Sequence, residues 1–262
     1  MVSPTIRSVL APNPSHMTGQ GTNTYLIGRD ELAVVDPGPD LPQHLEAILA
    51  EAGSAPIRAI FVTHRHSDHL PAALPLAERT GAPLYGRAGL PGVQRPLADE
   101  AVVEVDGLHI RALATPGHTP EHCCYLLEEA RTIFCGDLMA GSGTVVVGSG
   151  EGELADYLAS LRRLLALSPA RILPGHGPPM ADPAAKIREY LDHRQMREDQ
   201  LLAALAGGPS SIAELRSAVY PDVPAALASA AENNVRTHLL KLRVEGRVAE
   251  SAGRWRITSA ES

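Results

Sequence analysis

Thr63-His64-Arg65-His66-Ser67-Asp68-His69 sets three imidazoles and a carboxylate within six residues, directly after the β-rich run Ile57–Val62. Neutral imidazole and carboxylate are good ligands for zinc. In an extended loop alternate side chains share a face, so His64 and His66 point the same way. A turn after Ser67 then aims Asp68 and His69 at a second position close by, and one segment can serve two metal ions. The bland alternative makes Asp68 the cap of a following helix, Leu70–Arg79, and leaves the histidines as ordinary loop residues. Three histidines and an aspartate packed this tightly on a solvated loop favour the metal.

Farther along the chain the same placement recurs. Thr115-Pro116-Gly117-His118 follows the apolar run Leu108–Ala114, Gly136-Asp137 follows Thr132–Cys135, and Pro174-Gly175-His176-Gly177 follows Arg171–Leu173. Each is a strand-like run, a tight turn, then a ligand-type side chain, which is how strand ends converge on one site. Singly, Asp137 reads equally well as a turn former, and His118 and His176 as loop residues. Together with the cluster they supply what two metals still lack. His16, His44, His109, His122, His193 and His238 have no ligand-like context and are expected to be structural or exposed. Gly141-Ser142-Gly143-Thr144 offers hydroxyls and N–H groups to a substrate oxygen, or is simply a turn.

The chain is long enough, at 262 residues, for one large domain or one large and one small. Hydrophobic residues make up 44%, but aromatics only 3%, so the core is built mainly from Ala, Leu, Val and Ile. A formal charge of -7 argues against a protein that coats nucleic acid, which needs a basic footprint. No apolar run approaches the length of a membrane span, about 18 residues. Met1–Leu10 lacks a basic segment followed by an apolar one, so no secretion signal and a cytoplasmic location are expected. Cys123, Cys124 and Cys135 are too few and too close for a disulfide framework and read as reduced, buried thiols.

Strand-like runs at Thr22–Gly28, Leu32–Val35, Ile57–Val62, Val102–Val105, Leu108–Ala114, Cys124–Leu127, Thr132–Cys135 and Arg171–Leu173 are interleaved with helical spacing at Leu41–Ala52, Leu70–Arg79 and Leu154–Leu167. The mixture predicts an α+β fold, with sheets covered by helices. Past a boundary near Pro178–Pro183 the character changes. A long charged helix, Ala184–Leu205, ends at Gly207-Gly208-Pro209. Helices at Ser211–Val219 and Ala225–Val244 and a hairpin over Arg247–Ile257 follow, turning at Ser251-Ala252-Gly253. Residues 1–182 are therefore expected to form one domain and 183–262 a second. The later helix carries Arg236, Lys241 and Arg243 but also Glu232, a patch too modest for sequence-specific binding of duplex DNA.

His64-x-His66-x-Asp68-His69, His118, Asp137 and His176 resemble the ligand set of the metallo-β-lactamase superfamily. The resemblance spans roughly Thr22–Gly177 and implies an αββα sandwich. It also implies two zinc ions per chain, with manganese or iron as substitutes. His64, His66 and His118 would hold one ion, Asp68, His69 and His176 the other, and Asp137 would bridge them. Gly21-Thr22-Asn23-Thr24-Tyr25, Val35-Asp36-Pro37-Gly38, Thr115-Pro116-Gly117-His118-Thr119 and Pro174-Gly175-His176-Gly177-Pro178 narrow the likeness to the β-lactamase-like protein 2 group. So does a tail similar to a winged helix: Ile212, Glu214-Leu215, Asn234-Val235-Arg236-Thr237-His238-Leu239, Lys241-Leu242 and a hairpin with Trp255. The resemblance further implies a supporting role for Asp36, without showing which ligand it orients.

Two zinc ions against Asp68, Asp137 and a bridging hydroxide leave about one positive charge, suited to an attacking hydroxide and a developing oxyanion. Zinc lowers the pKa of bound water to about 7, and Asp68, beside that water, is the natural proton acceptor. The better-known members of the narrower group are endoribonucleases on single-stranded RNA, and that is the leading expectation for the substrate. The alternative is a thioester on acyl-CoA, an acyl carrier protein or acyl-glutathione. A β-lactamase, or a winged-helix DNA-binding regulator with a dead metal domain, ranks lower. The first normally works outside the cytoplasm, and the second has no reason to keep all seven ligands.

Overall fold

The runs Leu32–Val35 and Ile57–Phe61 carry almost no polar alternation, the mark of strands covered on both faces. In the computed structural model, which describes residues 4–147, 153–224 and 227–258, these two strands pair in parallel at the heart of a six-stranded sheet. The elements in chain order are β1 (Ile6–Leu10), β2 (Asn23–Ile27), β3 (Leu32–Val35), α1 (Pro42–Ala52), β4 (Ile57–Phe61), α2 (Ala73–Thr80), β5 (Leu84–Gly86), β6 (Arg95–Pro96), β7 (Val102–Val105), β8 (Leu108–Ala114), β9 (Cys123–Leu127), β10 (Thr132–Gly136), α3 (Leu154–Leu167) and β11 (Arg171–Pro174). The C-terminal region adds α4 (Pro183–Leu205), α5 (Ile212–Val219), α6 (Ala228–Val244), β12 (Val248–Ser251) and β13 (Arg254–Ile257). One sheet runs β1-β2-β3-β4-β5-β6 and the other β11-β10-β9-β8-β7.

Side-chain alternation explains the layers. Tyr25, Ile27, Val35 and Phe61 on one sheet meet Ile110, Tyr125, Leu127 and Phe134 on the other, forming the inner core. The outward neighbours Leu26, Val34 and Ile60 pack under α1 and α2 through Leu45, Ile48 and Leu76. On the far side Leu113, Ile133 and Ile172 pack under α3 and the first half of α4 through Leu161, Leu164, Ile187 and Tyr190. The result is the expected αββα sandwich. The second half of α4 belongs to another core, in which Leu201 and Leu205 meet Leu215, Val235, Leu239, Leu242 and Trp255. One helix thus serves both domains.

The helix expected over Leu70–Arg79 begins later, at Ala73, and its N-cap, Ala72, makes no side-chain cap bond. Before it runs a turn in which His69 and Leu70 N–H both bond His66 O, and Ala73 N–H bonds Leu70 O. Asp68 is therefore not the cap of this helix, as the bland reading had it. The expected start of the last helix at Ala225 lies outside the described residues; the helix begins at Ala228. No described helix is long and apolar enough to cross a membrane. All three cysteines are free and buried, as expected.

Candidate metal centre

Four strands end on one side of the sandwich, and each is followed by a candidate ligand: β4 by the His64–His69 loop, β8 by His118, β10 by Asp137 and β11 by His176. The loops are cross-tied by main-chain bonds, Cys123 N–H to Thr63 O at 2.9 Å and Gly175 N–H to Gly136 O at 2.9 Å. Close packing demands glycine here. A Cβ on Gly175 would lie 2.6 Å from His69 Cε1 and 2.7 Å from Asp137 Oδ1. Gly136, at φ +45°, would bring one within 2.5 Å of Thr63 Oγ1.

All seven sequence-predicted residues meet. His64, His66, His118 and Asp137 form one group, and Asp68, His69, Asp137 and His176 a second, with the ligand atoms of each within 4.8 Å of one another. Asp137 faces both. Its Oδ2 lies 4.0 Å from His64 Nε2 and 3.7 Å from His118 Nε2, and its Oδ1 3.3 Å from His69 Nε2 and 3.4 Å from His176 Nε2. Asp68 Oδ2 completes the second group, 3.1 Å from His176 Nε2. At 22% side-chain exposure it is more open than His69, Asp137 or His176.

Outer hydrogen bonds decide which nitrogen each ring turns inward. His118 Nδ1–H donates to Val146 O (3.0 Å), and His176 Nδ1–H to Gly21 O (3.1 Å). His69 Nδ1–H donates to Asp36 Oδ2 at 2.8 Å. The Thr63 hydroxyl gives its own proton to Asp36 Oδ2, so it accepts from His64 Nδ1–H at 2.9 Å. Asp36 therefore orients His69 directly and His64 through Thr63, the question that the sequence left open. Asp36 itself sits at φ 49°, a strained position for a residue with a Cβ. Each of these four rings presents an Nε2 lone pair to the centre. His66 Nδ1 lies 2.9 Å from His64 Nε2 and 3.1 Å from His118 Nε2, and a single ring proton there can satisfy only one of them. His69 Nε2 is buried with no hydrogen-bond partner. Ring nitrogens facing one another and a buried His69 Nε2 without a hydrogen-bond partner are the arrangement a cation resolves, so these residues fit divalent metal.

The electrostatics say the same. Burial, with His69 beside it, holds His64 well below the ordinary imidazole range, and burial lowers His118. For His69 burial works against the charged form, yet Asp137 and Asp36 outweigh it and raise the ring well above that range. Burial likewise opposes charge on His176, but hydrogen bonds to Asp137 and Asp68 lift it to about 9. The second group calls for positive charge, which a proton or a metal ion can supply. Burial raises Asp68, but His176 and His69 bring it below the ordinary carboxyl value, so it is a carboxylate at neutral pH.

Residues 17–176 match the family model described as Metallo-beta-lactamase superfamily, and residues 211–255 the Beta-lactamase associated winged helix domain. The chain belongs to the metallo-β-lactamase superfamily. It is a hydrolase of that superfamily, with a metallo-β-lactamase domain followed by the associated winged helix. A Beta-lactamase-like protein 2 homolog of Drosophila melanogaster is 36% identical, the match covering 93% of this chain and 90% of the relative. An Atrochrysone carboxyl ACP thioesterase of Aspergillus fumigatus is 34% identical over 87% of this chain and 77% of its own length. A metallo-beta-lactamase family protein of Thermus thermophilus superposes with a TM-score of 0.79 at 27% identity, covering 97% of this chain and 98% of that one.

Of the histidines without ligand-like context, His44, His122 and His238 are buried and structural, whereas His16 and His109 face solvent. His122 sits against the cluster, its ring 5.3 Å from that of His64, and is tied to Thr115 Oγ1, but it belongs to neither ligand group. The Gly141–Thr144 turn does not offer its first N–H to a substrate, because Gly141 N–H bonds His176 O at 2.8 Å. Thr63 and the carbonyls of Gly21 and Val146 escaped the sequence reading. A threonine before a His-rich loop is a usable signal; carbonyl partners leave none.

Proposed function

We propose that this metallo-β-lactamase superfamily hydrolase cleaves acyl thioesters at a dinuclear centre. Residues 1–182 carry the chemistry, and 183–262 shape access to it. His64, His66 and His118 would hold one zinc ion, Asp68, His69 and His176 the other, and Asp137 both; manganese or iron could substitute. Bound there, the two ions would supply an activated water at neutral pH and an electrophilic hold on the scissile carbonyl oxygen. Asp68 Oδ2, ionised and on the open side of the second group, accepts the proton of the attacking water and returns it to the departing thiolate. A carbon–oxygen bond forms and the carbon–sulfur bond breaks. The outer partners Asp36, Thr63, Gly21 and Val146 keep the rings from turning during this exchange.

The observation that favours a thioester over RNA is the location of the aromatic rings. Tyr25, Phe61, Tyr125, Phe134, Tyr157, Tyr190 and Trp255 are buried, and Tyr85 and Tyr220 half-buried, so none stands out as a stacking platform for unpaired bases. The cations of the C-terminal domain are also mostly neutralised: Arg243 by Glu250, Arg247 by Glu198, Arg254 by Glu214 and Lys241 by Glu198 and Glu245. The thioesterase relative supports the same reading. Cleavage of single-stranded RNA is the rival, favoured by the likeness to the β-lactamase-like protein 2 homologues and by exposed Arg236, which makes no ion pair among the described residues.

Parallel assays on acyl-CoA, acyl carrier protein and acyl-glutathione thioesters and on single-stranded RNA separate the two, with identically prepared Asp68→Ala protein as the control for contaminants. The proposal expects thioester turnover by the wild type alone and equal, background RNA cleavage by both. RNA cleavage confined to the wild type, with no thioester turnover, would replace it.

A further inference from the structure

The partner of His118 is unlike those of the other ligands. His64, His69 and His176 are oriented by groups next to or within the sheets, but Val146 O belongs to the irregular segment 138–147. That segment is gripped from outside the metal domain. Arg194 Nη2 on α4 donates to Val145 O at 2.8 Å. Asn233 Nδ2 on α6 reaches Val147 O at 3.4 Å, and the Thr237 hydroxyl lies 3.4 Å from the same oxygen while giving its proton to Asn233 O at 2.9 Å. Tyr190 OH donates to Gly143 O at 3.0 Å and accepts from Ala140 N–H at 3.0 Å. The carbonyls on either side of Val146 are thus held by the C-terminal helices, while Val146 O is left to His118.

Arg194 is an unusual residue for this position. It is only 4% exposed, and no carboxylate pairs with it among the described residues. Its other contacts are Asn234 Oδ1 at 3.4 Å and the face of Tyr157 at 5.4 Å. A buried cation normally has a counter-charge, because desolvation is costly; here a single carbonyl dipole, an amide and a ring take its place. An apolar side chain would fill the space at lower cost, but would not hold Val145 O.

We infer that Arg194 is a positioning residue for the metal ligand His118: with Asn233 it clamps Val145–Val147, so that the Val146 carbonyl fixes the ring and the C-terminal helices set the geometry of the first metal position. This rests on the ligand assignment proposed above and not on the substrate, so its test needs no turnover. Outer-partner loss typically weakens metal binding by about 10–100-fold.

The test uses the full chain reconstituted with cobalt(II), followed by its visible absorption and by chelator competition. For Arg194→Met, one of the two ions weakens by about ten-fold or more and its absorption bands shift, while the other, held by Asp68, His69 and His176, keeps its affinity. Arg194→Lys, which retains a donor, recovers part of the change. Glu198→Gln is the structural control: it disturbs the pair with Lys241 and Arg247 inside the same domain, and lowers the melting temperature without moving the spectrum. Should Arg194→Met not fold, Asn233→Ala carries the test, with a smaller shift of the same sign. Folded clamp variants with unchanged spectrum and both affinities intact overturn the inference. So does a Glu198→Gln protein whose metal binding changes as much as that of Arg194→Met.

Discussion

In the metal domain, buried histidines point their free nitrogens at one another and at Asp137. In the C-terminal domain, buried Glu198 is met by Lys241 at 2.6 Å and by Arg247. The first set of nitrogens and carboxylates is one that a bound cation would complete, whereas Glu198 is already met by cations of its own domain. The contrast separates a cluster suited to divalent metal from a carboxylate already paired within its own domain. It also leaves the winged helix little free positive charge: Arg236 apart, its cations are mostly paired with its own carboxylates, and its Trp255 is buried. The Arg194 clamp is where the two regimes touch.

Separating the halves strains this contrast hardest. Ending the chain after Pro183 removes Ile187 and Tyr190 from the core they share with α3 and bares an apolar face. Soluble yield should collapse and activity with it; a soluble truncated protein with full activity would make the second domain dispensable. Next in size is Asp68→Ala. Losing the proton acceptor alone costs about 10²–10⁴-fold in turnover, and losing a metal ligand adds to it, as steady-state kinetics on the true substrate would show. Near wild-type turnover would remove Asp68 from the mechanism.

A smaller effect comes from a buried histidine of the scaffold. Both ring nitrogens of His238 are buried without partners, and burial, with Arg194 nearby, pushes its pKa down to about 3 from the ordinary 6.5. The folded protein keeps the ring neutral where the unfolded chain takes up a proton. Stability is therefore full above about pH 6.5 and falls as pH drops toward 3, with a slope approaching about 1.4 kcal/mol per pH unit. Denaturation of His238→Leu beside wild type should show a gap that grows in acid, with turnover at neutral pH unchanged; parallel curves would contradict it. The smallest effect belongs to Arg236→Ala. For an anionic substrate KM should rise about two- to five-fold at low salt and hardly at all at high salt, with kcat unchanged. A salt-independent change would mean that Arg236 acts otherwise than by charge.

Much of this was legible in the chain because buried strands have little freedom. The expected runs from Leu32 to Arg171 match β3 to β11 within a residue or two, except where strands are very short. Leu84–Gly86 and Arg95–Pro96 hold three and two residues, too few to show a period, and the edge strand Ile6–Leu10 mixes exposed and half-buried positions. The metal cluster was legible because ligand chemistry demands rare side chains at close spacing. What orients it was not. Asp36 reaches His69 across 33 positions of chain, and Gly21 and Val146 act through carbonyls that every residue possesses. Arg194 lies in a charged helix and reads as solvent-facing until the fold brings Val145 over it.

If two metal ions complete the cluster, elemental analysis of carefully purified protein should find them. Wild-type protein should carry close to two equivalents of divalent metal per chain, and Asp137→Ala should lose both, because that carboxylate faces both groups. A wild-type protein that stays metal-free after reconstitution with zinc, manganese and iron would contradict the dinuclear centre outright.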